Sequence, residues 1–239
     1  MSAGAPAFSL VVPCWNEAAS IPGLVERFGA ASQGVDAELV LVDNGSTDRT
    51  AEVLSGLLET RAWVRKVALA RNQGYGGGIL AGLKEARGRF LGWTHADLQT
   101  DPADGFRALE LLASCPAPER TLAKGRRTGR SLAARLFTWG MAAYASLRLG
   151  RGLWDINGQP VVFHRGFLET WPRVMPEDFT LDLAALYAAG RAGWQVLRFP
   201  VGFAARSHGR STWDSGLASK WRMARAVARA CGRLAREES

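Results

Sequence analysis

Cysteine is scarce in this 239-residue chain: Cys14, Cys115 and Cys231 are odd in number, widely spaced and include no Cys-x-x-Cys pair. That excludes a disulfide framework and a thiolate zinc site, and it fits a reducing compartment. Long apolar runs are missing too. The longest, Leu136–Leu147, covers 12 residues, short of the roughly 18 that suggest a spanning helix, so no transmembrane segment is expected. The N-terminus is uncharged up to Asn16 but has no basic n-region and contains Pro6 and Pro13; no signal peptide is expected there. No internal repeat or low-complexity linker interrupts the chain, which favours one domain.

What is present is globular composition, 47% hydrophobic and 22% charged, in a chain long enough to bury a large α/β core. The net charge is +8, and its placement matters more than its size. Residues 1–118 carry 10 basic and 13 acidic side chains, net −3, whereas residues 119–151 carry 8 basic and one acidic, net +7. A second basic island, net +3, occupies 214–239. Such islands suit an anionic partner: phosphates, an acidic membrane face or nucleic acid.

The first hundred residues alternate strand and helix signals. Phe8–Pro13, Ala37–Asp43, Val64–Ala70 and Arg89–Thr94 have the length and apolarity of buried strands. Helical spacing fills 18–30, 47–60 and 76–87, with Ser46 or Thr47 as a cap for the second. This alternation predicts right-handed βαβ units and a mainly parallel sheet with helices on both faces, an α/β, Rossmann-like class. Further on, strands are expected at Thr121–Gly125, Val161–His164 and Gln195–Phe203. Helices are expected at Leu132–Leu149, Phe179–Arg191 and Gly216–Arg236.

In open sheets of this kind ligands sit at the carboxyl ends of strands. Asn16-Glu17, Asp43-Asn44-Gly45-Ser46, Arg71-Asn72 and His95-Ala96-Asp97 all fall there. After the fourth strand, His95, Asp97 and Gln99 stand at alternate positions. In an extended segment they would share a face and converge on one ion or phosphate; the other reading is a solvated strand end with Asp101 capping the next helix. Asp43 and Gly45-Ser46 either meet a ligand at a helix start or make a plain turn. Gly76-x-Gly78-x-x-Ala81 matches a loose dinucleotide pattern, but in the third βα unit, not the first. These glycines read as close backbone packing near a ligand, and a nicotinamide dehydrogenase is disfavoured.

Three strings in order, Pro13-Cys-Trp15-Asn16-Glu17, Val42-Asp43-Asn44-Gly45-Ser46-Thr-Asp48 and His95-Ala-Asp97-Leu-Gln99, resemble family 2 glycosyltransferases. The likeness is to polyprenyl-phosphate sugar transferases of the dolichyl-phosphate mannosyltransferase type. Asp155-Ile-Asn-Gly158-Gln159-Pro160 and Phe199-Pro200…Arg206-Ser-His-Gly209-Arg-Ser211 agree with later family segments. The resemblance covers roughly residues 8–213. It implies a GT-A fold that binds a nucleotide-diphosphate sugar and Mg²⁺ or Mn²⁺, with a catalytic domain at 1–213 and a basic amphipathic helix at 214–239.

By position, the resemblance implies that Pro13, Trp15, Glu17 and Asp43 frame base and ribose, with Asn44 and Arg71 in the same nucleotide-sugar site. Asp97, Gln99 and His95 would hold the ion and diphosphate, and Arg126 or Arg127, with Arg206, would neutralise phosphate. Two family acids are replaced, one by His95 and one by Asn44. Catalysis is expected from Asp97 and Arg206 with a phosphate acceptor. With a hydroxyl acceptor a carboxylate base is needed, and the candidates are Glu177, Asp178 and Asp182; the last two stand at i, i+4 on one expected helical face, where helix capping and surface charge are the other reading.

The expected reaction is inverting transfer from a UDP- or GDP-linked sugar to polyprenyl phosphate at the cytoplasmic face of the membrane. The alternatives are a hydroxyl acceptor or a non-catalytic sugar-nucleotide binder. Arg222, Arg225, Arg229, Arg233 and Arg236 line one face of the last helix, which reads either as lying on an anionic membrane surface or as solvated and packed on the domain. For the 132–149 helix core packing is expected over membrane contact, with room for a lipid acceptor to approach there. Nucleic acid is not an expected partner, since no RRM, KH or helix-turn-helix pattern occurs.

Overall fold

The computed structural model describes residues 4–129, 131–202 and 216–236. Among these residues seven strands form one sheet: β1 (Phe8–Cys14), β2 (Ala37–Asn44), β3 (Val64–Leu69), β4 (Phe90–Trp93), β5 (Thr121–Thr128), β6 (Val161–His164) and β7 (Gln195–Gly202). Their order is β3-β2-β1-β4-β6-β5-β7. β1 pairs in parallel with β2 and β4, β2 with β3, and β5 with β7; only β6 runs against its neighbours. The mainly parallel α/β class expected from the sequence is therefore observed. Because β6 alone is reversed, the carboxyl ends of the other six strands share one edge.

Side-chain alternation explains the two-layered core. Phe8, Leu10 and Val12 of β1 and Leu39 and Leu41 of β2 enter one apolar cluster, with buried residues of α1 (Ile21–Ala31), α2 (Thr50–Leu58) and α4 (Ala103–Ala113). Val11, Val40 and Val42 point the other way. There they meet α3 (Gly74–Glu85), α5 (Leu132–Leu149), α6 (Leu181–Arg191) and α7 (Gly216–Arg236). Successive strand residues point to opposite faces, so a strand buried on both sides is apolar throughout.

Several boundaries differ from expectation for local reasons. α2 starts at Thr50, not at 47: Asp48 Oδ1 accepts from Thr50 N at 2.9 Å. Ser46 and Thr47 are held by another loop and cap nothing. β5 runs three residues beyond Gly125 because Arg126, Arg127 and Thr128 continue to pair with Pro200, Val201 and Gly202. α6 begins at Leu181, so Asp178 precedes it. α7 is integral to the core through Val227, Ala230, Cys231 and Leu234, while Arg222, Arg225, Arg229, Arg233 and Arg236 are exposed on its other face.

Candidate active site

The first two loops at the carboxyl edge are stitched together. Asn16 N donates to Ser46 Oγ at 3.1 Å, and Thr47 N donates to Asn16 Oδ1 at 2.8 Å. Glu17 N donates to Thr50 Oγ1 at 2.9 Å, and Glu17 Oε2 accepts from Ser20 Oγ at 2.7 Å. Asp43, nearly buried, accepts from Ser46 N at 3.0 Å. Gly45 has φ +69°, and a Cβ there would run into the Arg71 backbone; only glycine lets these loops close together. Burial first, then the charges of Glu17 and Asp43, push the Cys14 thiol far above its ordinary value, so it is no nucleophile. Pro13 is half-buried and Trp15, 44% exposed, stands at the rim.

Asn44 explains its own departure from the family string. Its Nδ2 donates to Gly74 O at 2.8 Å and its Oδ1 accepts from Gln73 N at 2.9 Å. An aspartate could make only the second bond and would set a carboxylate against a carbonyl. Asn44 thus fastens the third loop, which carries the exposed Arg71, to the second. The glycines that follow are packing residues: Gly77 N donates to Glu177 O at 2.9 Å, and a Cβ on Gly76 would strike Pro176 O.

The segment after β4 is not extended. It bends from Ala96 to Thr100, with Leu98 at φ +58°, so strict alternation does not place His95, Asp97 and Gln99 on one face. Instead Asp97 Oδ1 accepts from Gln99 N at 3.1 Å, a turn that holds the buried carboxylate at the strand end. The His95 ring stacks on Tyr75, centroids 5.0 Å apart at 26°. Burial first, then the charge of Asp182 and its hydrogen bond, raise the Tyr75 phenol well above its ordinary value, with Asp97 adding to the effect. That phenol accepts from Gln159 Nε2 at 2.7 Å.

Below lies a buried pair that the sequence did not suggest. Lys124 Nζ meets Asp182 Oδ1 at 3.1 Å with both side chains 1% exposed, and Gln159 Nε2 also donates to Asp182. Burial pulls Lys124 down to about 8 despite Asp182. Asp178 Oδ1 accepts from Thr180 N at 2.9 Å and fastens the approach to α6. The two carboxylates therefore do not share a helical face as expected, since only Asp182 belongs to α6.

Arg127 and Arg126 separate clearly. Arg127 grips Asp155 through Nη2 at 2.7 Å, Nε at 3.1 Å and its backbone N at 3.0 Å. Burial raises the Asp155 pKa, but the Arg127 charge and its hydrogen bonds outweigh that and leave it lowered. Arg198 joins the knot, donating to Asp155 O at 3.0 Å and lying 4.2 Å over the Trp154 ring. Arg126, the preceding residue of β5, is exposed. Arg206 lies outside the described residues.

Among the described residues no three His, Cys, Asp or Glu side chains cluster closely enough to hold a metal by themselves. The donor set at the strand end, Asp97 with His95 and Gln99 nearby in sequence, fits an ion that brings oxygens from a diphosphate, as Mg²⁺ commonly does. No helix among them is long and apolar enough to cross a membrane.

A mainly parallel α/β sheet with two buried aspartates at its carboxyl edge belongs to the open-sheet class of architecture, in which ligands lie at that edge. More particularly, the model of the family described as Glycosyl transferase family 2 matches residues 9–153, and the chain belongs to that family. It is 44% identical over 108 residues to the undecaprenyl-phosphate 4-deoxy-4-formamido-L-arabinose transferase of Pseudomonas paraeruginosa, covering 44% of this chain and 32% of that protein. The same-named protein of Pectobacterium carotovorum is 39% identical over 108 residues. The matched stretch thus spans about a third of the length of these curated relatives. Among solved structures, glucosyl-3-phosphoglycerate synthase of Mycobacterium tuberculosis with UDP superposes with a TM-score of 0.71 at 21% identity, covering 95% of this chain and 80% of that one. The same synthase was also crystallised with Mg²⁺ and UDP, TM-score 0.72 at 20% identity, and with Mn²⁺ and UDP. At such identity the likeness establishes the GT-A fold.

Proposed function

We propose that this chain transfers a sugar from a nucleotide-diphosphate donor to polyprenyl phosphate, with inversion, at the cytoplasmic face of a membrane. The observation that carries the reading is the carboxyl edge itself, where Asp43 and Asp97 sit at strand ends within loops locked by Asn16 and Asn44. The names of the relatives point to undecaprenyl phosphate as acceptor, and the UDP in the solved neighbours makes a UDP-linked donor the first to test.

In this reading Pro13, Trp15, Glu17 and Asp43 frame base and ribose, with Trp15 offering an exposed ring. Asp97, with Gln99 and His95 beside it, receives the diphosphate end. A bound Mg²⁺ or Mn²⁺ would supply Lewis-acid neutralisation of the departing diphosphate. Arg71, Arg126 and Arg206 add positive charge, while Arg127 orders the edge through Asp155. Charge build-up on the leaving group is met by groups already in place, the electrostatic contribution to rate.

A phosphate acceptor is already an anion and needs no strong base. That suits a site in which Asp182 is committed to Lys124 and Asp178 to Thr180. A hydroxyl acceptor would require one of them, or another carboxylate, to take a proton. The test is incubation with undecaprenyl phosphate, Mn²⁺ and UDP- or GDP-linked sugars, including the UDP-linked formamido-arabinose, followed by mass spectrometry of the organic phase. A glycolipid that Asp97→Asn reduces by about 10²–10³-fold is expected. Transfer only to hydroxyl acceptors, or undiminished product from Asp97→Asn, would contradict the reading.

A further inference from the structure

α5 has two apolar sides and only one of them is used. Met141, Ala142, Ala145 and Leu149 are buried against the sheet and neighbouring helices. At about 100° per residue, Leu132, Leu136, Trp139, Ala143 and Leu147 fall within roughly 80° of arc on the opposite side. They face outward: Leu132 is 68% exposed, Leu136 60%, Trp139 70% and Leu147 84%. The outer surface of a helix on a soluble body is ordinarily polar, so a contiguous apolar stripe there marks an interaction face. Core packing, the expectation for this helix, accounts for its inner side alone.

The surroundings choose the occupant. Arg135 is exposed beside the stripe. α7 packs along α5 and sets Lys220 Nζ 5.8 Å over the Phe137 ring. Next to Lys220, Trp221 is 70% exposed, and Arg222 and Arg225 are exposed as well. A second copy of this face would oppose like charge with like charge, whereas anionic lipid headgroups complement it. The stripe occupies one side of a helix not apolar enough to span, the pattern of a helix lying in the interface plane. Position agrees too, since α5 begins four residues after Thr128, the end of β5 at the ligand-bearing edge.

We propose that the outer face of α5, bordered by the cations of α5 and α7, docks the protein on an anionic lipid bilayer, with Leu136, Trp139 and Leu147 entering the headgroup–acyl boundary. The proposal rests on the reading of a membrane-borne acceptor for its purpose, but its test uses neither donor nor acceptor and so fails or succeeds separately. α7 cannot simply be cut away, because its inner side belongs to the core.

The experiment is flotation of the full chain with vesicles of phosphatidylcholine mixed with phosphatidylglycerol, and with phosphatidylcholine alone. Wild type should float with the mixed vesicles. L136E/W139E/L147E should lose at least about tenfold in partitioning while its thermal midpoint is unchanged, because all three side chains are exposed. L136I/W139F/L147I should float as wild type does. Flotation of the glutamate variant at the wild-type level would overturn the proposal. So would a wild type that floats with neither vesicle, or that forms a dimer in sedimentation which the glutamate variant dissolves.

Discussion

The two halves of the sheet treat polar groups in opposite ways. On the β1–β4 side, side chains of Asn16, Asn44 and Ser46 hydrogen-bond to backbone and lock loops around carboxylates at the carboxyl edge. On the β5–β7 side, charges pair with one another beneath or beside the edge: Lys124 with Asp182, and Arg127 with Asp155. The first half keeps acidic groups where a ligand can meet them, and the second turns its charges into struts.

That contrast breaks most sharply at Asp182. Asp182→Ala leaves the buried Lys124 amine without its partner and should cost about 3–5 kcal/mol, read from denaturant midpoints. The double replacement Lys124→Met with Asp182→Leu should recover most of it. A single-variant loss under about 1 kcal/mol would mean that the pair is not a strut.

Asp155 probes the second strut through pH. Its pKa in the folded protein is lowered, so its contribution is present above the unfolded carboxylate value and is lost as pH falls through the folded one. Asp155→Asn should therefore destabilise by about 1.5–3 kcal/mol at neutral pH, and the gap to wild type should close below about pH 3.9. A gap that is constant with pH would contradict an ionic role. Asn44→Asp tests the first half: loss of the bond to Gly74 O should cost about 1–3 kcal/mol and weaken nucleotide binding. Stability and binding equal to wild type would show that the third loop does not depend on it.

The contrast also explains what the sequence could disclose. β1, β2 and β4 were legible because each is a short, largely apolar run buried in the sheet, and β3, an edge strand that carries Arg65 and Lys66, from Val64, Val67 and Leu69; Asp43, Asp97 and Asn16 were legible because each ends or follows a buried run. Lys124 and Asp182 lie 58 positions apart and Arg127 and Asp155 lie 28 apart, with nothing local to couple them. The three extra residues of β5 depended on a partner strand some 70 positions downstream. In α5 the apolar residues surround the helix, so the pattern held no sign of which side faced the core. Asn44 read as a lost acid, and only its two bonds reveal it as a fastener.

In the reading proposed above, the carboxyl edge binds a nucleoside diphosphate together with a divalent ion through Asp97. The direct measurement is the thermal shift of wild type and Asp97→Asn with UDP or GDP, each with and without Mn²⁺. At a hundredfold excess over its dissociation constant a ligand adds about 2.7 kcal/mol of apparent stability. Wild type should shift by that order with one nucleotide and Mn²⁺ together, and Asp97→Asn should lose the shift. A wild type unmoved by either nucleotide, or an equal Mn²⁺-dependent shift in Asp97→Asn, would contradict it.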